Sequence, residues 1–290
     1  MIKISAPIPY SLPDALEEHF CELESSSWGI DKRNDATPPE LFGYFEDAAD
    51  AAGQYGELRK SFPELPEIFA SEEVFEQDWK NEYKKYLKPW SCRTLHWVPD
   101  WERATYPLPD GHKAFYFDAG LAFGTGDHPT TRLCAIRMLD WLAGQPDPGG
   151  KFLIDAGCGS GILAISARLM GFGRVFAFDN DPEAVRVSLE NSAQNGTEGQ
   201  IEFARAGIDE ALAGKSCDIL LANIQADILM IYADELIAAV KPGGTLVLSG
   251  ILAVENDEVR ARFAKAAGGR AASCDAAFMG EWSDVMMRLS

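Results

Sequence analysis

Gly157, Gly159 and Gly161 stand at alternate positions of DAGCGSG, immediately after an apolar run, residues 152–154, and Asp155. Glycines at that spacing let the backbone turn sharply, approach a ligand closely and aim the free N–H groups of the following helix start at it. A second apolar run, VFAFD, ends at Asp179, 18 residues beyond Gly161, where a carboxylate accepts two hydrogen bonds from a ribose diol. A glycine triplet alone is a weak signal, but strand, glycine loop, helix, strand and terminal Asp in one βαβ unit point to a bound nucleoside. If that nucleoside belongs to S-adenosylmethionine, the loop faces its methionine and ribose, and Asp155 orients the loop, meets the methionine amino group, or does both. Gly207 and Ile208, after the third strand, are expected beside the adenine. Cys158, inside the loop, has no activating base nearby and reads as a small packing residue.

The run DILLAN ends in Asn223 at the carboxyl edge of the same sheet, beside the point where strand order reverses and ligands bind. An amide there can accept from an incoming amine and donate to a cofactor, although Asn also ends strands for turn reasons alone. Ile224 and Gln225 follow it, not the Pro-Pro-aromatic run that accompanies such an Asn in enzymes methylating adenine or glutamine amides, so those substrates lose weight. Ahead of the sheet, GLAFGTGDHPTTRLC (120–134) holds Phe123 among Gly120, Gly124 and Gly126 and opens a helix at Thr130 and Thr131. Such a segment can fold over a cofactor as a lid, exclude water and leave Thr131 near the ligand. His128 precedes a proline and lacks an evident carboxylate partner, which favours a loop-orienting role over that of a general base.

The elements that must position these groups alternate from residue 129 onward as helix and strand, the mark of a parallel sheet. Five parallel strands followed by a terminal hairpin, AASCDAAFM and EWSDVMMRL, make seven, and the hairpin separates a methyltransferase-type sheet from the six-stranded dinucleotide fold. Residues 1–75 interleave short extended stretches with the helices PDALEEHFCEL and AADAAGQYGELRKSF, which predicts a small βαββαβ domain. A polar, aromatic-bearing helical stretch at 76–90 is expected to connect it to a catalytic domain spanning 91–290.

Composition narrows the functional classes. The six cysteines form no C-x-x-C pair and the four histidines are scattered, so neither a zinc site nor a disulfide framework is expected. The N-terminus lacks the order of a secretion signal and no apolar run reaches the roughly 18 residues that span a bilayer, so a cytoplasmic chain without membrane contact is expected. A net charge of −19 disfavours direct nucleic-acid binding. Residues 1–75 hold 16 acidic against 5 basic side chains, a field that attracts a basic partner or merely keeps the surface soluble.

Taken together, GLAFGTGDHPTT, DAGCGSGILAI, FDNDPEAV, ANI, KPGG and the late GEW resemble the PrmA family, methyltransferases of large-subunit ribosomal protein eleven, across residues 76–290. The resemblance implies a class I, Rossmann-like S-adenosylmethionine-dependent methyltransferase domain behind a ferredoxin-like domain that grips a basic substrate protein. It places cofactor contacts on Thr131, Gly157, Asp179 and Asn223, to which the loop reading adds Asp155, Gly159, Gly161, Phe123, Gly124 and Ile208. It further implies methylation of lysine ε-amines or the α-amine; the reading of the residues themselves makes Asn223 the catalytic residue, holding the amine, and the chain is expected to be a monomer. A similar branch modifies lysines of the electron-transfer flavoprotein β subunit, so that target stays open, as does a small-molecule acceptor.

Overall fold

The computed structural model describes residues 1–22, 27–31, 38–73, 87–117 and 128–290. The chain forms two compact units, Met1–Tyr86 and Leu87–Ser290. The expected connector at 76–90 falls for the most part outside the described residues, and Trp90 already belongs to a strand of the second unit.

In the first unit the order is β1 (Ile2–Pro7), α1 (Pro13–Glu22), β2 (Trp28–Asp31), β3 (Glu40–Phe45), α2 (Ala48–Ser61) and β4 (Ala70–Glu73). The strands pair antiparallel in the order β2-β3-β1-β4, the βαββαβ arrangement of a ferredoxin-like fold. Period-two alternation decides the faces: Leu41, Gly43 and Phe45 of β3 point inward, while Glu40, Phe42 and Tyr44 occupy the opposite side. Ile4, Ala6, Leu41 and Phe45 close the core against Leu16 of α1 and Ala51, Tyr55 and Leu58 of α2. Asp47 caps α2 by accepting from the N–H groups of Ala49 and Asp50, as its position before the helix demands.

The second unit opens with a small sheet, β5 (Trp90–Cys92), β6 (Leu95–Pro99) and β7 (Lys113–Phe117). The helix α3 (Pro129–Ala143) then leads into the main sheet: β8 (Phe152–Ala156), α4 (Ile162–Leu169), β9 (Arg174–Asp179), α5 (Pro182–Gln194), β10 (Glu202–Arg205), α6 (Ile208–Leu212) and β11 (Cys217–Asn223). After these come α7 (Ala226–Ile231), α8 (Ala233–Ala238), β12 (Val240–Leu252), α9 (Asn256–Ala267), β13 (Ala271–Asp275), β14 (Phe278–Met279) and β15 (Trp282–Leu289). The order is β10-β9-β8-β11-β12-β15-β13, parallel through β12 and antiparallel at β15.

Two details differ from the sequence expectation. The first arm of the final hairpin splits into β13 and the two-residue β14, so the seven-strand path carries a short eighth strand on β15. The segment ADILMIYADELIAAV, which reads as one of the alternating helices because it is apolar and lacks glycine and proline, breaks at Tyr232 into α7 and α8, and its last residue, Val240, opens β12.

The central strands read as continuous apolar runs because both faces are covered. Leu153, Val175, Ala177, Ile219 and Leu221 face α3, α4 and the small sheet. Ile154, Phe176, Phe178, Leu220 and Ala222 face α7, α8 and α9. The late strand β15 is fastened to α3 by Arg137, whose Nε and Nη2 donate to both oxygens of the fully buried Asp284 at 2.7 and 2.8 Å. Among the described residues no helix is long and apolar enough to cross a membrane, and no group of three metal-ligating side chains occurs.

Candidate active site

Parallel pairing in register brings the ends of β8, β9, β10 and β11 to one edge of the sheet: Ala156 lies opposite Phe178 and Ala222, Asp179 opposite Arg205, and Asn223 opposite Ser249. The glycine loop leaves β8 at this edge. Gly157, Gly159 and Gly161 have φ of 71°, 52° and 76°, the left-handed region that glycine enters without penalty. The N–H groups of Gly157 and Cys158 both donate to the Phe178 carbonyl, at 2.9 and 3.0 Å, which folds the loop over the end of β9. A β-carbon on Gly157 would sit 2.3 Å from Ile224 Cγ2, so the loop is pressed against the residue following Asn223.

Asp179 bridges this loop to the next helix. Its Oδ2 accepts from the Gly159 N–H and its Oδ1 from the Asp181 N–H, each at 3.0 Å. The carboxylate is therefore fixed in orientation and only half-buried, with lone pairs left for further donors. Asp181 in turn caps α5 through the Glu183 N–H, with Pro182 at the first helical position.

Asp155 is 1 % exposed. One oxygen accepts from the Ala164 N–H at 3.0 Å; the other, Oδ1, is buried without a hydrogen-bond partner. Burial pushes its carboxyl from 3.8 up to about 7, the Ala164 hydrogen bond draws it down, and the charge of Asp179 pushes it further up. A buried carboxylate with an idle oxygen matches the donor chemistry of an ammonium or hydroxyl brought by a ligand. Burial also pushes the Cys158 thiol well up, in keeping with a packing role.

The raised carboxyl makes a stability statement. The folded chain holds the Asp155 proton across the interval in which the unfolded chain releases it, so the folded state loses stability as pH rises from about 4 to about 7 and keeps that loss above it. Asp155→Asn retains an acceptor for Ala164 and removes the ionisation. Its melting temperature is expected to exceed that of the wild-type chain at pH 8, with the gap closing as the pH falls towards 4. An equal gap at both ends, read by calorimetry, contradicts this placement of Asp155.

Asn223 and Thr131, far apart in the chain, meet here. The Asn223 Nδ2 donates to Thr131 Oγ1 at 3.3 Å, and Thr131 is 1 % exposed in the first turn of α3. Next to them the Ser249 hydroxyl donates to the Thr130 carbonyl at 3.0 Å, tying α3 to β12. His128 Nδ1 lies 2.8 Å from Thr130 Oγ1, and its ring meets Trp282 edge-on at 4.8 Å between centroids. These contacts suit an orienting role at the entry to α3. Ile208 begins α6 just past β10 at the same edge, half-buried against the core. Phe123 and Gly124 lie outside the described residues.

Sequence reasoning overlooked a clasp on the loop from α5. Ser188 Oγ donates to the Gly159 carbonyl at 2.8 Å and Asn191 Nδ2 to the Ser160 carbonyl at 2.9 Å, both from buried positions. The available signal was two polar residues three apart on the inner face of PEAVRVSLENSAQ, where an apolar stripe is the rule. Ile224 was read only as the neighbour of Asn223, but it is wedged between two glycines: a β-carbon on Gly250, at φ 83°, would lie 2.3 Å from the Ile224 carbonyl oxygen.

The family model described as ribosomal protein L11 methyltransferase (PrmA) matches residues 17–289. A Pseudomonas aeruginosa protein named ribosomal protein L11 methyltransferase is 43% identical over 203 residues, covering 69% of this chain and 65% of its own, so the match spans less than two thirds of that relative. A Pelobacter propionicus protein of the same name is 36% identical over 282 residues, 91% of this chain and 90% of its own. Among solved structures, a ribosomal protein L11 methylase from Lactobacillus delbrueckii subsp. bulgaricus superposes with a TM-score of 0.59 at 28% identity, over 69% of this chain and 96% of that one.

Proposed function

The chain belongs to the ribosomal protein L11 methyltransferase family, and on that premise we propose that it transfers methyl groups from S-adenosylmethionine to amines of ribosomal protein L11. The observation that carries the reading is the Asn223–Thr131 hydrogen bond at the sheet edge, beside a loop anchored by Asp179. The residues present fit the cofactor. Asp179 keeps acceptor capacity for a ribose diol, and the idle oxygen of Asp155 suits an ammonium. When bound, S-adenosylmethionine supplies an electrophilic methyl group on a cationic sulfonium.

What the chain contributes is position. A lysine amine has a pKa near 10.4 and attacks only when neutral, so a closed, partly dry site that disfavours its charge helps to expose the lone pair. The Asn223 amide has one end committed: Nδ2 donates to Thr131, which leaves Oδ1 to accept an amine N–H and turn the lone pair towards the methyl. No strong base is required, because water can take the proton once the amine is held. Thr131 acts through Asn223 by fixing which end of the amide faces the acceptor.

Incubation of the full chain with labelled S-adenosylmethionine and ribosomal protein L11, followed by intact mass and peptide mapping, tests the proposal. Mass steps of one methyl on lysine ε-amines or the α-amine are expected. Cofactor binding with no transfer to this protein refutes the assigned acceptor.

A further inference from the structure

Three glycines in five residues give the stretch 157–161 a backbone freedom that is lost when a ligand is gripped, unless the protein has already removed it. The ends of the stretch are held locally: the Gly157 and Cys158 N–H groups reach the Phe178 carbonyl, and the Gly161 N–H closes a turn on the Cys158 carbonyl at 2.8 Å. The middle is held from α5. Gly159 gives its N–H to Asp179 and its carbonyl to Ser188, so it is gripped on both sides, and the next carbonyl, that of Ser160, accepts from Asn191. The two donors stand three residues apart on one face of the helix and both are buried, Ser188 fully. A β-carbon on Gly161 would come within 2.9 Å of Ser188 Oγ, so the third glycine serves the approach of α5 to the loop. The helix is itself anchored at both ends. Asp181 caps its first turn and gives its own N–H to Asp179 Oδ1, while Asn195, just past its last residue, accepts from the Tyr116 N–H at 2.7 Å and donates to the Tyr116 carbonyl at 2.8 Å.

We infer that Ser188 and Asn191 are positioning residues for the cofactor, an inference that rests on the cofactor site proposed above. Holding the carbonyls of Gly159 and Ser160 keeps the Gly159 N–H on Asp179 Oδ2, and that bond aims the carboxylate at the ribose diol. The order of action is Ser188 and Asn191 on the loop, the loop on Asp179, and Asp179 on the ribose. Without the clasp Gly159 regains its conformational freedom, and Asp179 keeps only its hold on the Asp181 N–H. The loss then falls on recognition of the ribose hydroxyls. A helix that merely stabilises the fold predicts no such preference.

Calorimetric binding of S-adenosylhomocysteine and of its 2′-deoxy counterpart to the full chain tests the inference and needs no acceptor protein. In the wild-type chain the missing hydroxyl is expected to weaken binding roughly tenfold or more, because it donates to a charged acceptor. Ser188→Ala is expected to weaken binding of S-adenosylhomocysteine by about three- to tenfold, the range of one neutral hydrogen bond. It should also shrink the 2′-deoxy penalty by about threefold or more, since the two losses share one route through Asp179. Asn191→Ala is expected to act in the same direction. Ser192→Ala is the control: it removes a buried hydroxyl of the same helix that meets Thr197 Oγ1 at 2.8 Å, so the 2′-deoxy penalty stays as in the wild-type chain. Melting temperatures check that each variant is folded, and Asn191→Ala carries the test if Ser188→Ala is not. A 2′-deoxy penalty that keeps its wild-type size in the folded clasp variants, or shrinks equally in Ser192→Ala, overturns the positioning role and leaves the function intact. A wild-type chain that binds both compounds equally overturns it as well. Binding of neither compound by the wild-type chain overturns the cofactor site, and the positioning role falls with it.

Discussion

Asn223→Ala is expected to lower kcat for methyl transfer roughly 10²–10³-fold, with cofactor affinity falling much less. The argument rests on what the amide does at the end of β11: one end donates to Thr131, and the other is the acceptor that sets the angle of the attacking amine. Alanine keeps the strand and removes the acceptor, so acceptors still bind but seldom in line. Asn223→Asp separates this role from simple loss of packing. A carboxylate can still accept from the amine, but its charge favours the ammonium form, so the variant's activity should recover towards high pH relative to the wild-type profile. Rapid-quench measurements at several pH values read both effects. Equal, pH-independent losses in the two variants would dismiss the positioning role.

Gly157→Ala is the second large effect. Its φ of 71° puts an L-residue in the left-handed region, at roughly 1–2 kcal/mol, and the added methyl falls 2.3 Å from Ile224 Cγ2. Neither group has an easy retreat: the loop is tied to the Phe178 carbonyl, and Ile224 is backed by Gly250. The loop must move, carrying with it the Gly159 N–H that anchors Asp179. S-adenosylmethionine affinity is expected to fall at least about 100-fold, which corresponds to roughly 2.7 kcal/mol. Ile224→Ala in the same chain removes the collision and leaves the φ strain, so the double variant should recover part of the affinity. Equal affinities of the single and double variants would assign the whole loss to backbone strain.

The βαβ unit was legible because every level agreed: apolar strands, glycines at alternate positions, a helix start and Asp179 at a strand end all demand one another. Thr131 and Asn223 were each legible as neighbours of the ligand, but their meeting was not, since 92 residues separate them and no local pattern links a helix start to a strand end. The Ser188 and Asn191 clasp was hidden because polar residues inside an amphipathic helix read as interruptions, although here they satisfy loop carbonyls. The break at Tyr232 was hidden for the opposite reason: ADILMIYADELIAAV has neither glycine nor proline to announce it. In the first unit, element order and the acidic excess were legible from composition and punctuation. The outward aromatic pair was not, because the face of a strand is set by its register with its neighbours.

The place of β15, between β12 and β13 though made after both, has a consequence for the nascent chain. During vectorial synthesis β12 is made before its antiparallel neighbour, and among the described residues β13 pairs in this sheet with β15 alone. The newborn sheet therefore carries an unpaired, apolar edge at β12 until residues 282–289 emerge and insert. A chain that has released β12 but still holds residues 282–289 within the ribosome keeps the parallel half of the domain in an aggregation-prone form, where a holdase has most to protect.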